Sequence, residues 1–446
     1  MAQLQLTTGY KQILKMALPI SLAMLVPQIN FITNNIFLGG LGEQELASAG
    51  ITGVYYLIFA VIGNGLNNGL QALIARRAGQ NKPNEIGRIF YHGVWIALGF
   101  STIGILTTYT LAPSILRLVI HNPDLAEQAI SFLRIRIWGL PLLYLYAMRN
   151  ALLVGTNQTR FLVWGTFAEA STNIFLDYTL IYGHFGFPHI GFNGAAYASI
   201  IAEGAGLLII YAVIHIKGLH KQFAFFQSAT LDRGVLKLIL TQSSPLIAQY
   251  AISIVCWEYF YILIEHHGDR ALAISNTMRN IFGLFGIFSW AFASTTSSMV
   301  SNIIGQEKQD EVIPLIRRAI TLSLSVSFVL FTLINLRPDW FLSFYGQGDA
   351  FINDAIPVIR IVSVALLMMS FSTIWLNAVT GTGNTVVNLI IELVTIVVYS
   401  VYVYITLEYL NLPITWGWAS EGVYWICMFS MAFAYMKSGK WKNKRI

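Results

Sequence analysis

Apolar runs of about twenty residues, the length a helix needs to cross the hydrocarbon core of a bilayer, recur about twelve times along these 446 residues. Their centres fall near 26, 60, 98, 140, 172, 204, 251, 286, 325, 366, 396 and 426. Inside lipid every backbone N–H and C=O must be satisfied within its own segment, so each run is expected to be a helix. Composition agrees: 56% of residues are hydrophobic and 11% charged, where soluble domains carry about 25% charged. The expected fold class is all-α and integral to a membrane. Residues 1–15 are polar and lead into an apolar run with no small-residue cleavage site, which reads as an uncleaved first span. Cys256 and Cys427 both sit in apolar segments and imply neither a disulfide framework nor a metal site.

Basic residues orient the spans. With both termini cytoplasmic in a plasma (inner) membrane, twenty Lys and Arg residues, from Lys11 to Arg445, fall on the inner side and seven on the outer side. That asymmetry follows the positive-inside rule and accounts for the net charge of +6 without a nucleic-acid partner. An internal repeat then sets the architecture. Pro19 and Pro245, Gly42 and Gly268, Gly79-Gln80 and Gly305-Gln306, Arg134 and Arg360, and Gly155-Thr156 and Gly381-Thr382 all keep one offset of 226 residues. Six crossings return the chain to the side where it began. The expectation is therefore two six-helix lobes, residues 1–225 and 226–446, related by a pseudo-two-fold axis along the membrane normal. Repeats of this kind hold substrate and coupling ion near the midplane and work by alternating access, which makes a monomeric transporter the default reading.

The fifth span carries Glu169, Asn173 and Asp177 at four-residue spacing, so on a helix they form one oxygen-rich stripe. An acid at this depth costs at least ~2.5 kcal/mol and generally marks an ion or substrate path. At the 226-residue offset Asp177 projects onto Val403, Asn173 onto Tyr399 and Asn34 onto Phe260, so this stripe belongs to the N-terminal lobe alone. Ion coupling is assigned to that lobe, and shaping of the cavity to the other.

Several fragments, in this order and spacing, resemble the multidrug and toxic compound extrusion (MATE) transporters. They are Pro19, Gly79-Gln80, Phe132 to Ile135, Asn173 to Gly183, Gly194 to Ser199 and the repeated Gly305-Gln306. The resemblance covers nearly the whole chain. It implies a twelve-helix, two-lobed antiporter that expels amphipathic, often cationic, compounds in exchange for protons or sodium. Carried over position by position, the coupling site of the family falls on Asn34, Asn150, Asn173 and Asp177. Where such members have a first-span aspartate this chain has Asn34, which keeps an oxygen ligand and loses one titratable site. One carboxylate among carboxamides favours proton over sodium coupling, although sodium at Asp177, with Glu169 or Glu203 supplying the missing charge, stays open.

In the other lobe Glu258 resembles a glutamate that some relatives use for cations, and no intramembrane aspartate accompanies it in the tenth span. The substrate cavity is therefore assigned to Glu258, Trp257, Tyr261 and Trp290, with Glu169 and Glu203 from the first lobe; the aromatic rings could receive a lipophilic cation. Glu392 has no assigned role, and Arg149, near the end of the fourth span, reads as a snorkelling side chain. No metal-ligand spacing, nucleotide-binding loop or catalytic motif is present, so neither a cofactor nor an enzyme is expected. A flippase for lipid-linked saccharides and a dedicated metabolite exporter share this architecture and remain the alternatives, with a channel, which would need a continuous polar pore, as the other rival class.

Overall fold

The computed structural model describes residues 4–225, 230–346 and 348–444, without the side chains of Phe31, Glu43 and Leu46. Arg445 and residues 226–229, next to the expected lobe boundary, lie outside the described residues. Twelve long helices follow one another: α1 Tyr10–Gly39, α2 Glu43–Gly79, α3 Pro83–Thr110, α4 Pro123–Gly155, α5 Leu162–Tyr182, α6 Phe192–Ile216, α7 Arg233–Glu265, α8 Asp269–Gly305, α9 Val312–Leu336, α10 Asp349–Thr382, α11 Thr385–Tyr409 and α12 Ile414–Lys437. Each apolar run of the sequence lies inside one of them. In α4 a 3₁₀ turn at Ile137–Gly139 precedes Pro141, whose missing N–H forbids an uninterrupted ladder.

Among the described residues, nine of these helices are apolar enough to span by hydropathy alone, and α5, α8 and α12 are not among the nine. The first of the three carries Glu169, Asn173 and Asp177, and the last carries Glu421. Such polar groups lower the mean hydropathy, and Asn173, Asp177 and Glu421 are buried inside the protein. The large apolar side chains left outside, such as Leu118 at 86%, Ile216 at 77% and Leu208 at 73% exposed, are those a lipid solvent would cover.

The 226-residue repeat is also written in the backbone. Positive φ occurs at Gly42 and Gly268, at Asn81 and Glu307, and at Asn157 and Gly383. Equivalent turns close with equivalent bonds, Lys82 N–H to the Arg77 carbonyl at 3.0 Å and Lys308 N–H to the Ile303 carbonyl at 3.1 Å. Two compact units result, one of residues 22–247 and one of residues 5–21 with 248–446.

In the second unit the leading segment is tied by Leu6 N–H to Asn302 Oδ1 at 3.1 Å, and by Arg318, which donates to the carbonyl and hydroxyl of Thr8 at 2.9 Å. In the first unit Asp232 caps α7, accepting from Gly234 N–H at 2.6 Å and pairing with Arg88. The Gly234 and Val235 amides and the Arg88 guanidinium hold this carboxyl below the usual aspartate range. Sitting outside the spans, the cap is thus intact at neutral pH and is lost as pH falls through that lowered value.

Close approach of α3 to the segment after α6 depends on Gly87, where a Cβ would collide with the Phe223 carbonyl oxygen. Gly87→Ala is expected to cost about 1–3 kcal/mol, read as a lower unfolding midpoint in detergent. An unchanged midpoint would show that the Phe223 segment yields freely.

Candidate functional site

The first unit encloses the stripe on α5. Asp177 is fully buried and Asn173 is 4% exposed. Opposite them on α1 stands Asn34. With its carboxamide turned so that nitrogen faces the acid, it donates to Asp177 Oδ2, to Asn173 Oδ1 at 3.1 Å and to the Asn30 carbonyl at 3.3 Å. Asp177 Oδ1 and Asn173 Nδ2 are buried with no hydrogen-bond partner. The pocket therefore holds one acid with one oxygen served and one unserved. No donor in it carries a permanent charge.

Local packing fixes this pair of helices. Leu38, Ile181, Phe192 and Ala195 form a buried cluster, and the Tyr182 hydroxyl donates to the Phe37 carbonyl at 2.6 Å. At Gly40 a Cβ would strike that hydroxyl, so glycine is what lets α1 end against α5. Tyr178, one residue beyond Asp177, stacks on His184 at 4.3 Å and meets Phe37 at 6.4 Å. Asn150 is directed elsewhere: it donates to Asn67 of α2 at 3.3 Å.

One and two turns from Asn173 and Asp177 on α5, a second charged group begins. Arg136 of α4 makes a two-fold ion pair with Glu203 of α6, with side chains 13% and 10% exposed. Its guanidinium also covers the Tyr56 ring at 4.2 Å. Both oxygens of Glu203 are thus occupied, so the acid is engaged inside the unit. Glu169 Oε2 is buried without a hydrogen-bond partner. Arg149 is fully buried, and its guanidinium lies 3.7 Å from the Tyr146 ring centre with no hydrogen-bond partner on any nitrogen. It does not snorkel, contrary to the expectation from its distance to the helix end, because it points across the helix bundle.

The second unit has no equivalent stripe. Phe260, Tyr399 and Val403, at the positions matching Asn34, Asn173 and Asp177, are 2%, 1% and 0% exposed, and Phe260 packs on Tyr399 at 6.3 Å and Trp418 at 5.4 Å. Its acids sit at other positions. Glu392 of α11 accepts from Ser253 at 2.7 Å, Gln249 at 3.3 Å and Tyr424 at 2.5 Å. Glu421 of α12, which sequence reasoning missed, accepts from Trp425 at 3.1 Å and from Trp257. Glu258 is exposed and belongs to neither group. Trp257 lies 5.9 Å from Tyr261, whose hydroxyl donates to the Ser275 carbonyl at 3.0 Å and whose ring already carries Arg279 at 5.0 Å. Trp290 is partly buried, its ring near the position of Gly286. Among the described residues no three His, Cys, Asp or Glu side chains converge as metal ligands.

Twelve long, largely apolar helices, with buried acids inside each unit, define an integral membrane protein of the two-lobed, twelve-helix class. The chain belongs to the MatE family, whose pattern matches residues 19–179 and again residues 245–405, the same 226-residue offset. This is a family of multidrug efflux transporters and not of enzymes. The probable multidrug resistance protein NorM of Synechocystis sp. is 25% identical over 378 residues, covering 80% of this chain and 79% of the relative. That of Thermotoga maritima is 23% identical over 451 residues, covering 98% and 94%. Among solved structures, an outward-facing multidrug resistance MATE family transporter superposes with a TM-score of 0.90 at 19% identity, covering 98% and 96%. A transporter of the MOP superfamily from Pyrococcus furiosus, described as having a binding pocket of reverse polarity, superposes at 0.88 and 19%, covering 99% and 98%. At these identities the structural likeness establishes the fold.

Proposed function

We propose that the protein is a secondary active antiporter that exports amphipathic organic cations in exchange for protons, with Asp177 as the coupling carboxylate. The observation that carries this reading is the unserved Oδ1 of the fully buried Asp177, set among neutral carboxamides. A buried charge with an unmet acceptor is costly, and a proton removes it. Asn34 and Asn173 supply orientation on either protonation state of the acid. They cannot titrate, so they add no second proton.

In the proposed cycle a proton from outside neutralises Asp177, rearranges the bonds joining α1 to α5 and lowers the hold on a cation. The protonated lobe turns inward, releases its proton to the cytoplasm and regains a negative site for substrate. Residues 1–225 act as the ion-coupling lobe and residues 226–446, with Trp257, Glu258, Tyr261 and Trp290, as the wall that receives the substrate. One proton exchanged for one monovalent cation moves no net charge. The pH difference alone then drives export, about tenfold in substrate gradient per pH unit. Both termini are placed on the cytoplasmic side in this reading, in keeping with the bias of the basic residues.

The test is selection by charge. Purified protein in liposomes with an imposed pH gradient is expected to move ethidium and to leave an anionic dye of similar size behind. Preference for the anion, or for a lipid-linked saccharide, would overturn the reading.

A further inference from the structure

Three acids face the interior of the first unit, Asp177 and Glu203 buried and Glu169 partly buried, and they are not equivalent. Glu203 has both oxygens on Arg136. Asp177 takes one donor from Asn34. Glu169 has a buried oxygen with no donor at all, yet an arginine without a hydrogen-bond acceptor lies within its electrostatic reach. That arginine is Arg149. Its guanidinium cannot shed its proton, so this fully buried cation favours ionisation of an acid that can reach it as its partner anion.

The groups that face Glu169 leave one candidate for that anion. From α4 come Arg136 and Arg149, with Tyr146 beneath the latter; from α6 come Glu203 and, beside Arg149, Tyr211; from α2 comes Tyr56 against Arg136. On its own helix are Asn173 and Asp177, and from α1, among the described residues, the Asn34 carboxamide and the Asn30 backbone carbonyl meet the stripe. Arg136 is matched by Glu203. Arg149 is left with Glu169.

Close approach of the helices that carry the two is built in. A Cβ at Gly165 of α5 would lie 2.7 Å from Arg149 Nη1, and one at Gly206 of α6 would lie 3.0 Å from the Glu169 Cβ and 2.9 Å from the Gly165 carbonyl. The missing side chains at these two glycines thus let Arg149 and α6 pack directly on the turn of α5 that leads to Glu169, and this contact is the seam between Arg149 and Glu169.

Resting on the antiport reading above, we propose that Glu169 is a second proton-carrying carboxylate of the same cycle, with Arg149 as the positioning charge that becomes its ion-pair partner when the proton leaves. In the arrangement seen here the pair is apart, which suits a protonated Glu169. Closing the seam brings the guanidinium onto the carboxyl, the O–H bond breaks, the proton passes to water on the cytoplasmic side, and the carboxylate is held by Arg149. Opening the seam reverses each step. Nothing is oxidised or reduced, and Arg149 keeps its proton throughout.

A second proton changes the electrical character of transport. Two protons inward against one monovalent cation outward carry one net charge, where exchange through Asp177 alone carries none. The experiment imposes a potassium diffusion potential on proteoliposomes and follows ethidium at fixed pH difference, with protein-free liposomes as background. Wild type is expected to respond to an inside-negative potential by up to about fortyfold to fiftyfold in ethidium gradient per 100 mV. Glu169→Gln is expected to export at a reduced rate under the pH gradient, through Asp177, with that response lost. Arg149→Gln loses it too, because a Glu169 without its partner keeps its proton, whereas Arg149→Lys retains it; this pair carries the test if Glu169→Gln does not assemble. A wild type indifferent to potential, or a Glu169→Gln protein that still responds, overturns the second site while leaving Asp177 coupling standing. A wild type that exports no ethidium under any pH gradient overturns the antiport reading and this one with it.

Discussion

Asp177→Asn is expected to bring proton-driven ethidium efflux down to the level of protein-free liposomes while the protein remains folded. The substitution keeps shape and hydrogen-bonding capacity and deletes the charge. Asn34 is left facing a carboxamide oxygen in place of a carboxylate, so the link between α1 and α5 is retained. Removing a buried charge with an unmet acceptor is neutral or stabilising to within about 1–3 kcal/mol, so loss of function here is not loss of fold. Efflux assays on reconstituted protein, paired with unfolding midpoints in detergent, separate the two. Transport at the wild-type rate in this variant would remove Asp177 from the cycle. Asn34→Asp is the informative companion, since it restores a second acid against Asp177 and is expected to alter the proton dependence without abolishing transport.

Arg136→Gln should have the largest effect on stability. Glu203 would keep its charge inside the unit with neither of its two guanidinium bonds, a loss of about 3–5 kcal/mol. Gly139 leaves no slack to absorb the change, because the ion pair already fills the space beside it, with Glu203 Oε2 2.8 Å from where a Cβ would stand. The double substitution Arg136→Met with Glu203→Leu removes both charges and is expected to recover most of the loss. Denaturant unfolding of the three proteins measures this coupling. A single variant within about 1 kcal/mol of wild type would mean that water reaches Glu203 and that the pair is not structural.

What the sequence revealed of this site follows from what periodicity can and cannot encode. An acid four residues from an asparagine in an apolar run is visible as a stripe, and the stripe on α5 is there. The repeat was visible because tight turns constrain residue type: Gly42 and Gly268 occupy positive φ, and their spacing survives in both halves. Side-chain direction is a different matter. Arg149 sits six residues before Gly155, a distance that permits snorkelling, and only the packing of Tyr146 beneath it shows that it turns inward. Arg136 and Glu203 are 67 residues apart, and no local pattern joins them. Glu421 hides in a helix rich in tryptophan, glycine and serine, where one acid lowers an already modest hydropathy. Trp425 lies one turn away on the same helix, but Trp257 of α7 converges on it only in three dimensions. Glu392 stood without a role for the same reason: Gln249, Ser253 and Tyr424 reach it from two other helices.

Proton coupling at a lone acid among carboxamides is the centre of this account, and one comparison tests it most directly. Wild-type protein is reconstituted into liposomes, and ethidium efflux is followed with a pH gradient and no sodium, and then with a sodium gradient at equal pH on both sides. The account predicts efflux in the first condition and background in the second. Efflux driven by sodium alone would contradict it, and would make the unserved oxygens of Asp177 and Asn30 part of a cation site instead of a proton site.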